Sequence, residues 1–517
     1  MARQSFIKGT IILLVAGIIN RILGFAPRIA LPRIIGAEGI GLYQMGYPFL
    51  IVILTLINGG IPLAVAKLVA EADAEGNPNK VKLILRVALS ITVTLSIGFT
   101  ILCVACARWI TENLFTDERV YYTFLAMSPI ILIGGISSVY RGYFQGLHNM
   151  LPTAISQTSE TLIRIVTVLS FAYLMLPYGI QYAAAGAMAG VVVGEIVGLF
   201  VLFIQFRADR VKQGSMNQIR DVITKASQFR RLLSVSIPVT ASRLVGSASY
   251  FLESILIIQS LAVAGVVTAV ATAQYGVLQG MVIPILLLPT ALTYSLSVSL
   301  IPSLSEAASN NDMNMVHKRM HQSLKLSLVA GAPFAVFMYV LAEPLCMVIY
   351  NNAQVGAMLK MMAPVALFIY IQGPLQAALQ ALDKPGKALR NTFIGACIKL
   401  TLISVLASNP SFGIRGAIFA INVNIAIVTI LHWVSVTRLL KLSMPSVDFF
   451  KVGVAILLSG LVCHSVYSHM FIDQSILRLA TALLAGIIIY FLCCIVLKLI
   501  DREDLLRMMW LGKKMVK

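Results

Sequence analysis

Charge is what this chain has least of. Asp, Glu, Lys and Arg make up 12% of its 517 residues, about half the ~25% usual for soluble domains, and that shortage excludes a soluble protein of this length. Acids are the scarcer sign, with 21 Asp and Glu against 40 Lys and Arg and a formal net charge of +19. Such a surplus could suit nucleic acid. The cations, however, are scattered through short loops and form no interleaved basic–aromatic surface, which excludes a nucleic-acid partner. Long polar loops are also missing: no candidate external loop exceeds about 20 residues, and no acidic catalytic motif stands in one. This argues against a membrane glycosyltransferase or polymerase, whose function concentrates in such loops. The six histidines (148, 317, 321, 432, 464 and 469) make no HExxH or clustered ligand set. "CVAC" (103–106) lacks a second pair, so neither a metal nor a cofactor is expected and the seven cysteines read as small apolar fillers. The N-terminal apolar run has no small-residue cleavage site, so it reads as an uncleaved first span.

What the chain does have is hydrophobic length. It is 58% hydrophobic, with a mean hydropathy of +0.88, and apolar blocks of about 20 residues recur from end to end, each long enough to cross a ~30 Å hydrocarbon layer. The fold class is an all-α polytopic membrane protein. Blocks and breakers predict fourteen spans, near 9–36, 44–66, 83–107, 121–140, 152–176, 181–206, 232–260, 273–300, 324–342, 356–381, 391–408, 414–437, 450–470 and 476–499. The first is too long for one perpendicular crossing, and Pro27 and Pro32 are expected to kink it. With the N-terminus in the cytoplasm, inside segments hold about 29 of the 40 Lys and Arg and outside segments about 7. Both ends are therefore expected to be cytoplasmic.

The chain also resembles itself. "NRILG" (20–24) matches "SRLVG" (242–246), and "GIPLAVAKLVAEA" matches "LIPSLSEA". "FQGLHNMLPTA" before Arg164 matches "LQALDKPGKAL" before Lys399, and "YGIQYAAAGA" matches "FGIRGAIFAI". Four matches in the same order imply two six-span lobes in parallel pseudo-twofold repeat plus two extra spans. The expected organisation is an N-lobe at 1–206, a basic cytoplasmic linker at 207–231, a C-lobe at 232–440, and two further spans with a basic tail at 441–517.

The four cations left over from that count sit within spans, and the repeat pairs them: Arg21 with Arg243, and Arg164 with Lys399. Each could instead snorkel to a headgroup or neutralise a nearby acid, and Glu160 stands one turn from Arg164, an ideal local pair. Three acids lie within spans, Glu160, Glu195 and Glu253; they are candidate counter-ions or coupling sites. Like-signed cations at matched positions point to an anionic substrate, since guanidinium forks suit phosphate or pyrophosphate. Breaks at Gly59, Gly60, Pro284 and Pro289, with Pro27 and Pro32, are candidate hinges.

"FIKGTIILLVAGIINRILGF…RIIGAEGIGLYQM", "SSVYRGYFQGLHNMLPTAISQ", "LPYGIQYAAAGAM" and "GPLQAALQALDKPGKA" resemble the stage V sporulation protein B family, exporters in the multidrug/oligosaccharidyl-lipid/polysaccharide flippase superfamily. The resemblance runs along nearly the whole chain. It implies a fourteen-span, two-lobe fold and alternating access, with an undecaprenyl-pyrophosphate-linked saccharide or peptidoglycan precursor and membrane lipids as partners. It also implies work in the cytoplasmic membrane during spore cortex formation, as a carrier and not an enzyme. "RILGF" is similar to the start of the superfamily's lipid II flippases, which implies a cavity role for Arg21. Their next cavity arginine, six residues on, aligns with Pro27, beside Arg28. The alternative within the superfamily is a cation-coupled multidrug exporter.

Overall fold

In the computed structural model, the structure describes residues 6–213, 222–441, 446–470 and 474–499. The centre of the basic linker, 214–221, and the basic tail from 500 onward lie outside them. Among the described residues there are helices and no strand.

Among the described residues, thirteen helical stretches are long and apolar enough to cross a membrane. The first, Val15–Ala74, has 60 residues; at 1.5 Å per residue it would run about 90 Å, far beyond one ~30 Å crossing. It is divided at Gly36, whose backbone (φ 69°, ψ −178°) is a conformation that side chains with a Cβ avoid. Spans 1 and 2 of the sequence reading both lie in this stretch, so thirteen stretches carry the fourteen expected spans. A second interruption falls at Gly24, three residues before Pro27. Proline has no N–H to offer the carbonyl one turn back, so the break appears just ahead of Pro27 and not at it. Pro32 stays inside helix, and the sharp turn comes at Gly36.

By packing, the chain forms two compact units. One takes the chain up to Met281 together with Leu400–Ala417. Its helices before Met281 are α1 (Phe6–Leu23), α2 (Phe25–Asn58), α3 (Ile61–Ala74), α4 (Pro78–Ala105), α5 (Ala107–Leu114), α6 (Val120–Met127), α7 (Pro129–Gly146), α8 (Leu151–Met175), α9 (Ile180–Gln213), α10 (Val222–Val263) and α11 (Thr268–Gly276). The other takes Val282–Lys399 and the chain from Ile418 on. Its helices are α12 (Ile283–Leu287), α13 (Thr290–Ser309), α14 (Met313–Val340), α15 (Ala342–Tyr350), α16 (Ala353–Met362) and α17 (Ala366–Ala381), with α18 (Pro385–Leu406) and α19 (Ile414–Leu440) contributing to both units, then α20 (Ser446–His469) and α21 (Ser475–Val496). This division is one of packing; the expected six-span repeat is one of chain order.

Small residues set the spacing in the first unit. Gly186, Gly190, Gly194 and Gly198 recur every four residues on α9 and meet α8 at Phe171, Val168, Arg164 and Glu160 in turn. Helices in lipid gain little from burying apolar area, so close backbone approach through such a stripe is what holds them together. Gly179, at φ 131°, makes the turn between the two helices. In the second unit, buried tyrosines tie helices together through backbone carbonyls. Tyr490 Oη donates to the Val329 carbonyl at 2.8 Å and Tyr370 Oη to that of Leu286 at 3.1 Å.

The glycine stripe yields a paired prediction. A Cβ on Gly190 would lie 2.5 Å from the Val168 backbone nitrogen, whereas one on Gly98 would meet nothing within 4 Å. Gly190→Ala should destabilise the protein by about 1–3 kcal/mol, and Gly98→Ala should be neutral or stabilising, as read by thermal unfolding in detergent. Equal unfolding temperatures for the two variants would contradict the packing role of the stripe.

Candidate functional site

In the first unit the in-span acids Glu160 and Glu195 are already engaged. Glu160, 6% exposed on α8, accepts from Arg141 Nη2 of α7 at 2.7 Å and forms a close ion pair with Arg164. Arg164 also stands 3.5 Å from Glu195 Oε1 on α9. Gly194 and Gly198 leave room for these side chains, because a Cβ at either would press on Arg164 or Glu160. Two guanidinium groups and two carboxylates thus compensate each other, as charges held out of water require. The structure brings Arg164, Glu160 and Glu195 together and adds Arg141, which sequence reasoning left at a span end. The signal available was arithmetic: two acids in spans 5 and 6 faced a single in-span cation.

Glu253, buried on α10, lies elsewhere, accepting from Gln279 Nε2 at 2.9 Å. Arg21 is exposed in the last turn of α1, where a cation also complements the helix C-terminal carbonyls. Arg243 is exposed on α10, and among the described residues no carboxylate lies within ion-pair distance of it. Lys399 belongs to the second unit and is 7% exposed.

Within the first unit, α2 is gripped at both ends of its second half. At the start, Gly41 and Gly276 let α2 and α11 touch backbone to backbone: a Cβ on Gly41 would overlap the Thr272 carbonyl oxygen, and one on Gly276 that of Ala37. A polar knot sits beside this contact. Asp117, 3% exposed, accepts from Arg119 Nε at 2.9 Å, Arg119 Nη2 at 2.8 Å and Thr272 Oγ1 at 2.8 Å. Arg119 Nη1 also bridges to Glu38 at 2.7 Å, and Gln259 Nε2 donates to the Leu114 carbonyl at 3.4 Å. At the other end, about 30 Å away by helix rise, Gly59 and Gly60 divide α2 from α3 and lie against Thr240 and Ser236 of α10. Arg231 Nη2 pairs with Glu71 there at 2.6 Å. The predicted breakers Gly59 and Gly60 are thus contact points; Pro284 opens α12, and Pro289 precedes α13.

Burial raises the cost of ionising Asp117, but hydrogen bonds from Arg119 and Thr272 and the Arg119 charge outweigh it, so its pKa is lowered. A carboxyl with a lowered folded pKa stabilises above its unfolded pKa and loses that contribution as pH falls through the folded value. Protection of the 114–120 amides, after correction for the intrinsic pH dependence of exchange, should therefore hold from pH 7 to about 5 and fall only below pH ~4. Asp117→Asn should show low protection at every pH. Protection in Asp117→Asn equal to that of the unaltered protein would contradict the knot.

Comparison with known proteins completes the geometry. The helical arrangement is that of a polytopic membrane protein, similar to the solved structure of a lipid II flippase MurJ in an inward closed conformation, at 17% identity, TM-score 0.73, covering 94% of this chain and 98% of that one. The chain belongs to the polysaccharide biosynthesis protein family, which matches residues 6–308; the MatE family matches 247–405. It is 40% identical to the stage V sporulation protein B of Bacillus subtilis (strain 168) over the full length of both chains. It is also 26% identical to that organism's lipid II flippase MurJ, over 77% of each.

Proposed function

We propose that this multi-pass membrane protein carries an undecaprenyl-pyrophosphate-linked saccharide or peptidoglycan precursor from the inner to the outer leaflet of the cytoplasmic membrane, for spore cortex synthesis. Both termini lie in the cytoplasm. Full-length likeness to a stage V sporulation protein B carries the reading. The charge balance of the first unit supports it: Glu160 and Glu195 are taken up by Arg141 and Arg164, while Arg243 remains exposed on α10 without a carboxylate partner among the described residues.

Arg21 and Arg243 hold the pyrophosphate, whose doubled charge suits guanidinium forks. Lys399 is a further candidate by its repeat position, and Arg164 serves as the counter-ion of Glu160 and Glu195. With the N-terminus inside, the Asp117 knot faces outward and the Gly59–Gly60 contact inward, so the two ends of α2 act as gates that open in turn. The protein transports and does not transfer sugar. No coupling ion is assigned.

The test is translocation of a labelled lipid-linked precursor in reconstituted vesicles. Arg21→Ala with Arg243→Ala should lower the rate about 100-fold or more, the scale on which electrostatic contacts to a bound anion act, with insertion and unfolding temperature unchanged. Unaltered flipping in the double variant would remove the assignment. The MatE match favours a second reading, a cation-coupled multidrug exporter. Under it the protein would protect cells against cationic dyes and leave lipid-linked precursors unmoved.

A further inference from the structure

Helices α4 and α5 carry an exposed stripe that neither the exporter reading nor the ion network uses. Leu95, Leu102 and Trp109 recur every seven residues and are all exposed. A heptad drifts only about 20° around a helix, so the three share a face. Helical bonding runs through the joint between α4 and α5, since Cys106 N donates to the Leu102 carbonyl at 2.9 Å and Ile110 N to that of Cys106 at 2.8 Å. Ile101 and Val104 beside the stripe are exposed as well. On a helix long and apolar enough to cross a membrane, such a face meets acyl chains. At the α5 end its chemistry changes: Arg108 and Trp109 follow, then Glu112 and Asn113, all exposed.

Helix α5 is itself two-sided. Ala107, Ile110 and Thr111 are buried, and Thr111 Oγ1 donates to the Ala107 carbonyl at 3.0 Å. Trp109 lies on the other side, 63% exposed. An indole left in bulk water forfeits the burial its large ring offers; at a membrane boundary the ring is covered while its N–H stays among polar groups. Arg108 Nε stands 3.5 Å from Glu112 Oε1, with both side chains more than half exposed. Exposed pairs of this kind contribute little, so the guanidinium keeps donors for a phosphate. From α5 the chain runs straight into the polar knot. The Leu114 carbonyl accepts from Gln259 Nε2 of α10, Phe115 is buried, and Asp117 accepts from Arg119 and Thr272.

From this continuity we infer that Arg108 and Trp109 form a docking surface for phospholipid headgroups, which seats α5 in the boundary of the bilayer and steadies the knot that follows it. The stripe identifies the occupant: the lipid that covers Leu95 and Leu102 reaches Trp109 along the same face. Charge agrees with it, because the phosphate layer begins where a span ends and Arg108 is the cation placed there. That this boundary is the outer one rests on the exporter reading, which puts the N-terminus inside; the docking itself does not. A knot anchored in the headgroup layer makes the closure at that end of α2 depend on the surrounding lipid.

The test is the depth of Trp109 in purified protein held in phosphatidylglycerol nanodiscs. The chain has three tryptophans, so Trp433→Phe with Trp510→Phe leaves Trp109 as the sole emitter. A spin label on the lipid headgroup should quench its emission at least about twofold more than a label deep in the acyl chain, and aqueous acrylamide should quench it less than either. In the same nanodiscs, Trp109→Ala should lower amide protection over 114–120 about three- to tenfold, the size of one lost aromatic contact. Trp109→Tyr, which also suits a boundary, should keep most of that protection. Arg108→Gln should lower it about fivefold, one cation's attraction to an anionic headgroup layer. Quenching by acrylamide alone, as for a water-facing or protein-docking surface, would overturn the proposal. So would quenching strongest from the deep label, or unchanged protection in Trp109→Ala. Neither measurement involves transport, so the outcome is separate from that of the exporter reading.

Discussion

A guanidinium group held in hydrocarbon costs about 3 kcal/mol or more, and that penalty governs the first unit. Every arginine there must be neutralised, reach a polar boundary or face water. Arg141 and Arg164 meet the condition by sharing Glu160 and Glu195. Arg119 meets it through Asp117 and Glu38. Arg231 meets it through Glu71. Arg243 has no such carboxylate among the described residues and is exposed; the proposed exporter function gives it a physical reason to be there, a water-filled space that accepts anions.

Glycine gives the helices their freedom to do this. The stripe on α9 brings Glu160 and Arg164 against a neighbouring backbone, which shields their ion pairs from competing water. Glycines at 41, 276, 59 and 60 do something different, since they join helices over short contacts at the two ends of one helix. Ion pairs reinforce each end, Asp117–Arg119 at one and Arg231–Glu71 at the other. A carrier that opens its ends alternately needs such separable closures.

Much of this was legible in the chain. Apolar length gave the spans, and the i, i+4 spacing of Glu160 and Arg164 foretold their pairing. Gly59 and Gly60 were visible as breakers. Other features depended on distances along the chain that no local pattern encodes. Arg141 joins Glu160 from another helix, and Thr272 reaches Asp117 across 155 residues. Gly36 looked ordinary beside Pro27 and Pro32, yet the turn falls on it because its backbone tolerates a positive φ.

The central claim is that Arg243 faces an aqueous space which a pyrophosphate lipid can fill. Cysteine accessibility measures that directly. In a background with the seven native cysteines replaced, Arg243→Cys should react with a charged, water-soluble thiol reagent, and undecaprenyl pyrophosphate should slow the reaction. Labelling only by a lipid-partitioning reagent, unaffected by that lipid, would contradict the account.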